Sequence, residues 1–209
     1  MIRRELEYFF GAIRFFTRLP VPGWVGHSAE ALNHSARYFP AVGLLVGAIG
    51  ALVYWLAMHL WPQPVAILLS MAATIYATGA FLEDGLSDTA DGLGGGWEKQ
   101  RILDIMKDSR VGSYGVVATV LALLGKFALL SALDAALVPF ALLAGHALSR
   151  FCATLLLATM DYVREDLLAK AKPLATRLSP GALLVAFGFV MAGLSLLPPE
   201  KVAAGCLFA

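Results

Sequence analysis

Long apolar stretches alternate with short polar or proline-containing segments along the chain. A helix needs about 20 mostly apolar residues to cross a bilayer. The pattern therefore predicts an all-α, polytopic membrane bundle with five spans and a partial sixth, so that five to six helices cross the membrane. We expect that the chain ends inside this last helix, which is then shortened. The five predicted spans are 38–61, 65–82, 114–133, 140–160 and 181–197.

The segment 1–22 forms a separate predicted element before the first span. Aromatic and aliphatic residues alternate there with Arg14 and Arg18, and Pro20 and Pro22 end the segment. An aromatic, basic helix of this length suits the membrane interface. We predict an interfacial helix over 1–22, and packing of the same helix against the bundle stays open as an alternative.

Composition agrees with a membrane protein. Hydrophobic residues make up 59% of the 209 residues and charged residues 15%, whereas soluble domains average about 25% charged residues. The formal net charge is only +1, so there is no electrostatic basis for a nucleic-acid partner. We expect one domain over 1–209, with the lipid bilayer as its surroundings.

Basic residues predict the orientation of the bundle. They cluster in the N-terminal segment, in the polar segment 83–113 and in the loop after Met160, whereas the predicted turns at Pro62 and Pro139 contain no Lys or Arg. Loops rich in Lys and Arg stay on the cytoplasmic side of a membrane. We therefore expect the polar segment to form a cytoplasmic loop.

Carboxylates in this polar segment recur at helical spacing. Asp84, Asp88 and Asp91 are four and three residues apart and share one face of a helix, and Asp104 and Asp108 are again four apart. Such a cluster repels itself unless cations neutralise it. Oxygen ligands without His or Cys suit Mg²⁺ or Mn²⁺, and two such metals often serve phosphoryl displacement. The segment predicts a site for two Mg²⁺ ions.

Glycines and basic residues beside these carboxylates point to an anionic substrate. Gly85 and Gly92 directly follow two of the aspartates and would let a phosphate or nucleotide approach the backbone. Lys107 and Arg110 flank Asp108 and would hold phosphate oxygens. A solvated acidic loop and a cation-transport site are the alternatives, and cations among the carboxylates favour an anionic substrate over a cation path.

Polar residues within the predicted spans are further candidates. A charge there should face protein or water rather than lipid. Arg150 is a candidate for a substrate cavity or for a carboxylate partner, whereas His146 suits interhelical hydrogen bonding. Lys126 can extend to the interface or pair with a carboxylate, and the sequence leaves both open.

Two glycines in the first predicted span are four residues apart. Gly43 and Gly47 form a GxxxG pair, which permits close helix packing within the monomer or between subunits. The pair leaves a homodimer open.

Four segments occur in an order that resembles one known family. They are 15–22 (FFTRLPVP), 37–43 (RYFPAVG), 78–92 (TGAFLEDGLSDTADG) and 105–115 (IMKDSRVGSYG). Together they resemble the adenosylcobinamide-GDP ribazoletransferases, also called cobalamin-5′-phosphate synthases. The second half of the chain matches that family mainly in hydropathy. The chain departs from the pattern at Leu82, where we expect His, and at Leu167, where Gly is frequent.

The resemblance implies a reaction and a location. The enzyme would transfer the adenosylcobinamide-phosphate moiety of adenosylcobinamide-GDP to α-ribazole or α-ribazole-5′-phosphate and release GMP. The product would be adenosylcobalamin or its 5′-phosphate, a late step of cobalamin synthesis in the bacterial cytoplasmic membrane. The alternatives are a CDP-alcohol or other lipid phosphotransferase and a non-enzymatic divalent cation transporter.

The resemblance also suggests a role for each polar residue. Asp108 would be the general base or a metal ligand, and Lys107 and Arg110 would hold phosphates. Glu83 would be an additional ligand or would orient one. We expect Asn at any of the four principal ligands to abolish turnover and leave expression intact. Those four ligands are Asp84, Asp88, Asp91 and Asp104.

Overall fold

The computed structural model describes residues 2–26, 28–160 and 178–197. These residues form α-helices joined by short turns, and no strand lies among them. The predicted all-α membrane bundle is confirmed. The helices are α1 (Ile2–Phe16), α2 (Ala29–Ser35), a 3₁₀ turn (Ala36–Tyr38), α3 (Phe39–Ala57), α4 (Gln63–Thr78), α5 (Phe81–Gly95), α6 (Lys99–Ile105), α7 (Ser113–Ser131), α8 (Val138–Thr159) and α9 (Pro180–Leu194).

The predicted count of five spans is not confirmed. Three helical stretches in the described part of the chain are long and apolar enough to cross a bilayer, namely Glu30–Ala57, Ser113–Ser131 and Val138–Thr159. Helices α4 and α5 pass the same test only as a pair bent by 84°. Helix α9 is apolar but has 15 residues. The predicted partial sixth span and the basic loop after Met160 lie outside the described residues.

Two residues with positive φ separate α4 from α5. Gly79 ends α4 with φ 65°, and Ala80 follows with φ 59°. Residues other than Gly rarely adopt this conformation, so Ala80 is a strained position. A Cβ on Gly79 would collide with the Arg18 side chain, which covers this point of the backbone. The second predicted span therefore stops at Thr78, and the acidic residues begin a helix in a new direction.

The acid-rich segment, predicted as a loop over 83–113, is mostly helical. Helix α5 carries the first three aspartates and α6 carries Asp104. Only the turn around Gly96 and the stretch from Met106 to Gly112 interrupt it. The reason is that apolar side chains such as Ile102 pack between the two helices, which stabilises both of them.

Helix α1 packs against the bundle through its second half. Ala12, Ile13 and Phe16 are buried, and the rings of Phe16 and Phe39 meet edge to face at 4.6 Å. Ile2, in the first turn, is exposed. The helix ends at Phe16 rather than at residue 22. Packing, the alternative left open by the sequence, is confirmed for this half, and an interfacial position of the first turns stays a prediction.

Close approach of α3 to α8 accounts for the GxxxG pair. These two helices form the most extensive contact among the described helices. A Cβ on Gly43 would lie 2.7 Å from the Cα atom of Ala147, and one on Gly47 would lie 2.8 Å from the Cα atom of Leu143. Both glycines therefore serve packing within one chain, and the predicted homodimer loses the observation on which it rested.

Gly43→Ala is expected to lower the thermal unfolding midpoint of the purified protein. The added methyl group would force α3 away from the backbone of α8, and overpacking of this kind costs about 1–3 kcal/mol. Gly145→Ala on α8 is the control, because nothing lies within 4 Å of its Cβ position. Equal midpoints for the two variants would show that the α3–α8 contact is looser than described.

Candidate active site

An open cleft of about 330 Å³ lies where the end of α5, helix α6 and the start of α7 meet. Three carboxylates line it, from Asp91, Asp104 and Asp108, together with the guanidinium groups of Arg101 and Arg110. The structure thus brings together three of the predicted metal ligands and one predicted phosphate-binding residue. Arg101 was missed as a site residue, although it lies three residues before Asp104 on the same helix.

Asp91 caps α7 from another helix. Its side chain is 8% exposed, and its two oxygens accept hydrogen bonds from the backbone N–H groups of Gly112 (2.7 Å) and Gly115 (2.8 Å). The first N–H groups of a helix have no partner within the helix, and the helix dipole favours negative charge there. Asp91 therefore joins α5 to the start of α7, and its role as a metal ligand stays a prediction.

Glycines make this junction possible. A Cβ on Gly112 or on Gly115 would collide with the Asp91 carboxylate, and one on Gly115 would also meet the Ser87 hydroxyl. A Cβ on Gly94 would lie 2.5 Å from the ring of Tyr114. The start of α7 can approach α5 this closely only because these positions lack a side chain.

The two glycines predicted to admit a phosphate differ. Nothing lies within 4 Å of the Cβ position of Gly85, so that backbone is open to a ligand. A Cβ on Gly92 would lie 2.6 Å from Cγ of Met106. Gly92 is buried and serves the packing of α6 on α5, which leaves no room for a phosphate on that side of it.

Asp108 and Arg110 form an ion pair at the surface of the cleft. Nη2 of Arg110 lies 2.6 Å from Oδ2 of Asp108, and the Arg110 backbone N–H donates to Oδ1 at 3.1 Å. The hydrogen bonds from the Arg110 side chain, and then that from its backbone, lower the pKa of Asp108 to about 2. A carboxylate with so low a pKa accepts a proton poorly at neutral pH. The pair favours the second of the two predicted roles of Asp108, that of a ligand.

The other predicted carboxylates are divided between two places. Asp104 is exposed in the cleft and accepts a hydrogen bond from Nε2 of Gln100 at 3.1 Å. Glu83 and Asp84 line a separate groove of about 330 Å³ between α5 and α7. Asp88 lies between the two places on α5 and is half-buried, and Lys107 is exposed in the turn after α6.

The oxygen donors suit a hard divalent cation, but they are spread apart. Among the residues that the structure describes, no three His, Cys, Asp or Glu side chains lie close enough together to hold a metal ion. The cleft offers carboxylates without His or Cys, which is the donor set that Mg²⁺ prefers. Each oxygen of Asp91 accepts one N–H and keeps a further lone pair. The set fits Mg²⁺ in kind, and binding would draw Asp104 and Asp108 towards Asp91.

Arg150 does not line the cleft but is buried in the bundle. It is 1% exposed, and its Nη1 donates to the carbonyl oxygen of His146 at 3.1 Å. Its guanidinium group lies 5.4 Å from the centre of the Phe16 ring. Leu82, which stands where we expected His, is 38% exposed on the first turn of α5 and also lies outside the cleft lining.

Comparisons with known proteins cover nearly the whole chain. The family model described as cobalamin-5-phosphate synthase matches residues 8–209. A Shewanella amazonensis protein named adenosylcobinamide-GDP ribazoletransferase is 54% identical over 176 residues, which are 83% of this chain and 68% of that protein. Proteins of the same name from Shewanella woodyi and Leptothrix cholodnii are 49% and 48% identical, each over 88% of this chain and over 73% and 71% of their own lengths.

No solved structure matches the chain. The sequence comparisons alone therefore decide the family, and the match extends through both halves of the chain, including the second half, where the resemblance rested mainly on hydropathy. The chain belongs to the cobalamin-5-phosphate synthase family.

Proposed function

We propose that this chain transfers adenosylcobinamide phosphate from adenosylcobinamide-GDP to α-ribazole or α-ribazole-5′-phosphate, with release of GMP. Its relatives carry the name of that transferase. The observation that carries the proposal is the cleft in which three carboxylates and two arginines meet. It lies inside the family match and provides both cation ligands and anion ligands, as a diphosphate-linked substrate requires.

The reaction is a substitution at phosphorus. A hydroxyl oxygen of the ribazole would form a bond to the phosphorus attached to the aminopropanol group, and the bond from this phosphorus to the oxygen of GMP would break. The hydroxyl proton leaves at the same time. The protein has to position the two substrates in line and neutralise the charge of the diphosphate.

We propose that the enzyme depends on Mg²⁺, with two ions as the working number. When bound, Mg²⁺ would neutralise the negative charge of the diphosphate. Hard oxygen ligands for it are available on α5, on α6 and in the turn after α6. The residues that would hold it are Asp84, Asp88, Asp91, Asp104 and Asp108.

The remaining side chains of the cleft divide the other tasks. Arg101 and Arg110 would bind phosphate oxygens, since a guanidinium group can donate two parallel hydrogen bonds. Asp104 has no Arg or Lys partner within the described residues. It is therefore a better placed proton acceptor than Asp108, which Arg110 already holds.

We place the enzyme in the bacterial cytoplasmic membrane, with the cleft on the cytoplasmic side. The apolar helices support a membrane location, and the distribution of Lys and Arg supports this orientation. A cation transporter is disfavoured because Asp91, Asp104 and Asp108 line an open cleft at the ends of helices and not a path along the spans.

Nucleotide selectivity tests the proposed donor. With Mg²⁺ present, GMP at about 100 times its Kd should stabilise the purified protein by about 2.7 kcal/mol, seen as a rise of the unfolding midpoint, and CMP should have a smaller effect. Preference for CMP would favour a CDP-alcohol phosphotransferase instead. A protein that neither nucleotide stabilises at millimolar concentration would argue against a nucleotide-linked donor.

A further inference from the structure

A second group of charged side chains lies between α5, α7 and α8. Glu83 is on the first turn of α5, Lys126 is on α7, and His146 and Arg150 are on α8. Lys126 is within range of electrostatic interaction with both Glu83 and Arg150, and Arg150 is within range of Glu83. None of Lys126, His146 and Arg150 lines the cleft that contains Asp91, Asp104 and Asp108.

Several buried atoms of this group lack a hydrogen-bond partner among the described residues. They are Oε2 of Glu83, Nε2 of His146, and Nε and Nη2 of Arg150. Removing one member of a buried ion pair is costly because the other charge is left uncompensated. The described residues provide one carboxylate, that of Glu83, whose charge acts on both Lys126 and Arg150.

The position of Glu83 in the chain gives this arrangement a consequence for the site. Glu83 follows Ala80, the strained residue at the bend between α4 and α5, by three residues and directly precedes Asp84. Attraction to cations on α7 and α8 fixes the first turn of α5 after the bend. The direction of α5 then decides where Asp84, Asp88 and Asp91 lie.

We propose that Glu83, Lys126 and Arg150 form a buried charge cluster that positions the acidic helix α5, and that Glu83 acts through this cluster and not as a metal ligand. Lys126 and Arg150 are thereby positioning residues for the transfer reaction. The effect on turnover rests on the proposed function, whereas the effect on stability does not.

Net charge provides a sharp test. The cluster carries one carboxylate and two cations, so its charge is +1 with His146 neutral. Glu83→Gln raises the charge to +2, and the double variant Glu83→Gln with Lys126→Met returns it to +1. In the purified full chain, Glu83→Gln should lower the unfolding midpoint and reduce kcat at least about tenfold, with KM changed less than about twofold. The double variant should recover most of both losses.

Two further measurements separate positioning from direct contact. The Mg²⁺ concentration for half-maximal activity should be the same in Glu83→Gln as in the unchanged protein, whereas loss of a ligand would raise it. Arg150→Lys, which keeps the charge, should retain more kcat than Arg150→Met. Asp134→Asn, in the exposed turn before α8, is the control and should change neither readout.

The unfolding midpoints decide the matter even if no product forms. Recovery of the midpoint in the double variant supports the cluster with or without turnover, so that failure of the proposed reaction stays distinguishable. A double variant no more stable than Glu83→Gln would overturn the proposal. A raised Mg²⁺ requirement in Glu83→Gln would overturn it as well, by returning Glu83 to the metal ligands.

Discussion

Asp91→Ala is expected to destabilise the protein and abolish turnover together. The substitution removes the acceptor of two backbone N–H groups at the start of α7, those of Gly112 and Gly115. Each N–H left without a partner costs about 1–3 kcal/mol, so the free energy of unfolding should fall by roughly 2–5 kcal/mol. Because α7 and α5 both contribute to the cleft, its geometry is lost with the junction.

Asp91→Asn refines this prediction. The amide keeps one acceptor oxygen, but its NH₂ group faces an N–H donor, and the negative charge at the helix terminus is lost. The unfolding midpoint should fall less than in Asp91→Ala. This corrects the expectation from the sequence that Asn at each principal aspartate leaves the protein intact. It holds for the exposed Asp104, and Asp104→Asn is therefore the matched control that loses turnover alone. An Asp91→Ala protein as stable as the unchanged one would show that the cap does not hold α7.

Gly115→Ala is expected to impair the site without removing any functional group. A methyl group here would overlap the Asp91 carboxylate and the Ser87 hydroxyl and would lie 2.9 Å from the Ser87 carbonyl oxygen. Helix α7 would have to move away from α5. A displacement of about 1 Å in an active site can cost about 100-fold in rate, and we expect a loss of that order in kcat/KM.

Gly125→Ala on the same helix is the control for Gly115→Ala. Nothing lies within 4 Å of its Cβ position, and Ala in place of Gly inside a helix stabilises by roughly 0.5–1 kcal/mol. Activity should be unchanged and the unfolding midpoint equal or slightly higher. If both alanine variants keep full kcat/KM, the close contact of Gly115 with Asp91 is not needed for catalysis.

The apolar pattern was sufficient for the fold class but not for the number of spans. Four predicted spans agree with α3, α7, α8 and α9 in position, because uninterrupted apolar runs are visible in the sequence. The second failed at Gly79 and Ala80. Both residues are small and compatible with a span, so hydropathy continues across them while the backbone turns by 84°.

The spacing of the aspartates predicted most of the cleft. Asp91, Asp104, Asp108 and Arg110 all line it. The cap of α7 by Asp91 was missed because its partners are backbone N–H groups, which leave no side-chain pattern. The glycines at 112 and 115 were the available signal, since two small residues at the start of a helix allow another chain segment to approach.

The charge cluster of Glu83, Lys126 and Arg150 lies beyond what spacing can show. Its members come from three helices and are far apart in the sequence, so no helical period relates them. The sequence placed Glu83 among the metal ligands because it precedes Asp84. The structure instead buries one of its oxygens and turns it towards two cations.

Product formation by the purified protein tests the central claim most directly. Adenosylcobinamide-GDP and α-ribazole-5′-phosphate would be supplied with Mg²⁺, with EDTA, and with EDTA followed by excess Mg²⁺, and corrinoid products and GMP would be separated by chromatography. We predict equal amounts of adenosylcobalamin-5′-phosphate and GMP, loss of both with EDTA, recovery on adding Mg²⁺, and neither product from Asp104→Asn. Absence of both products from folded protein with Mg²⁺ or Mn²⁺, or full turnover by Asp104→Asn, would contradict the account.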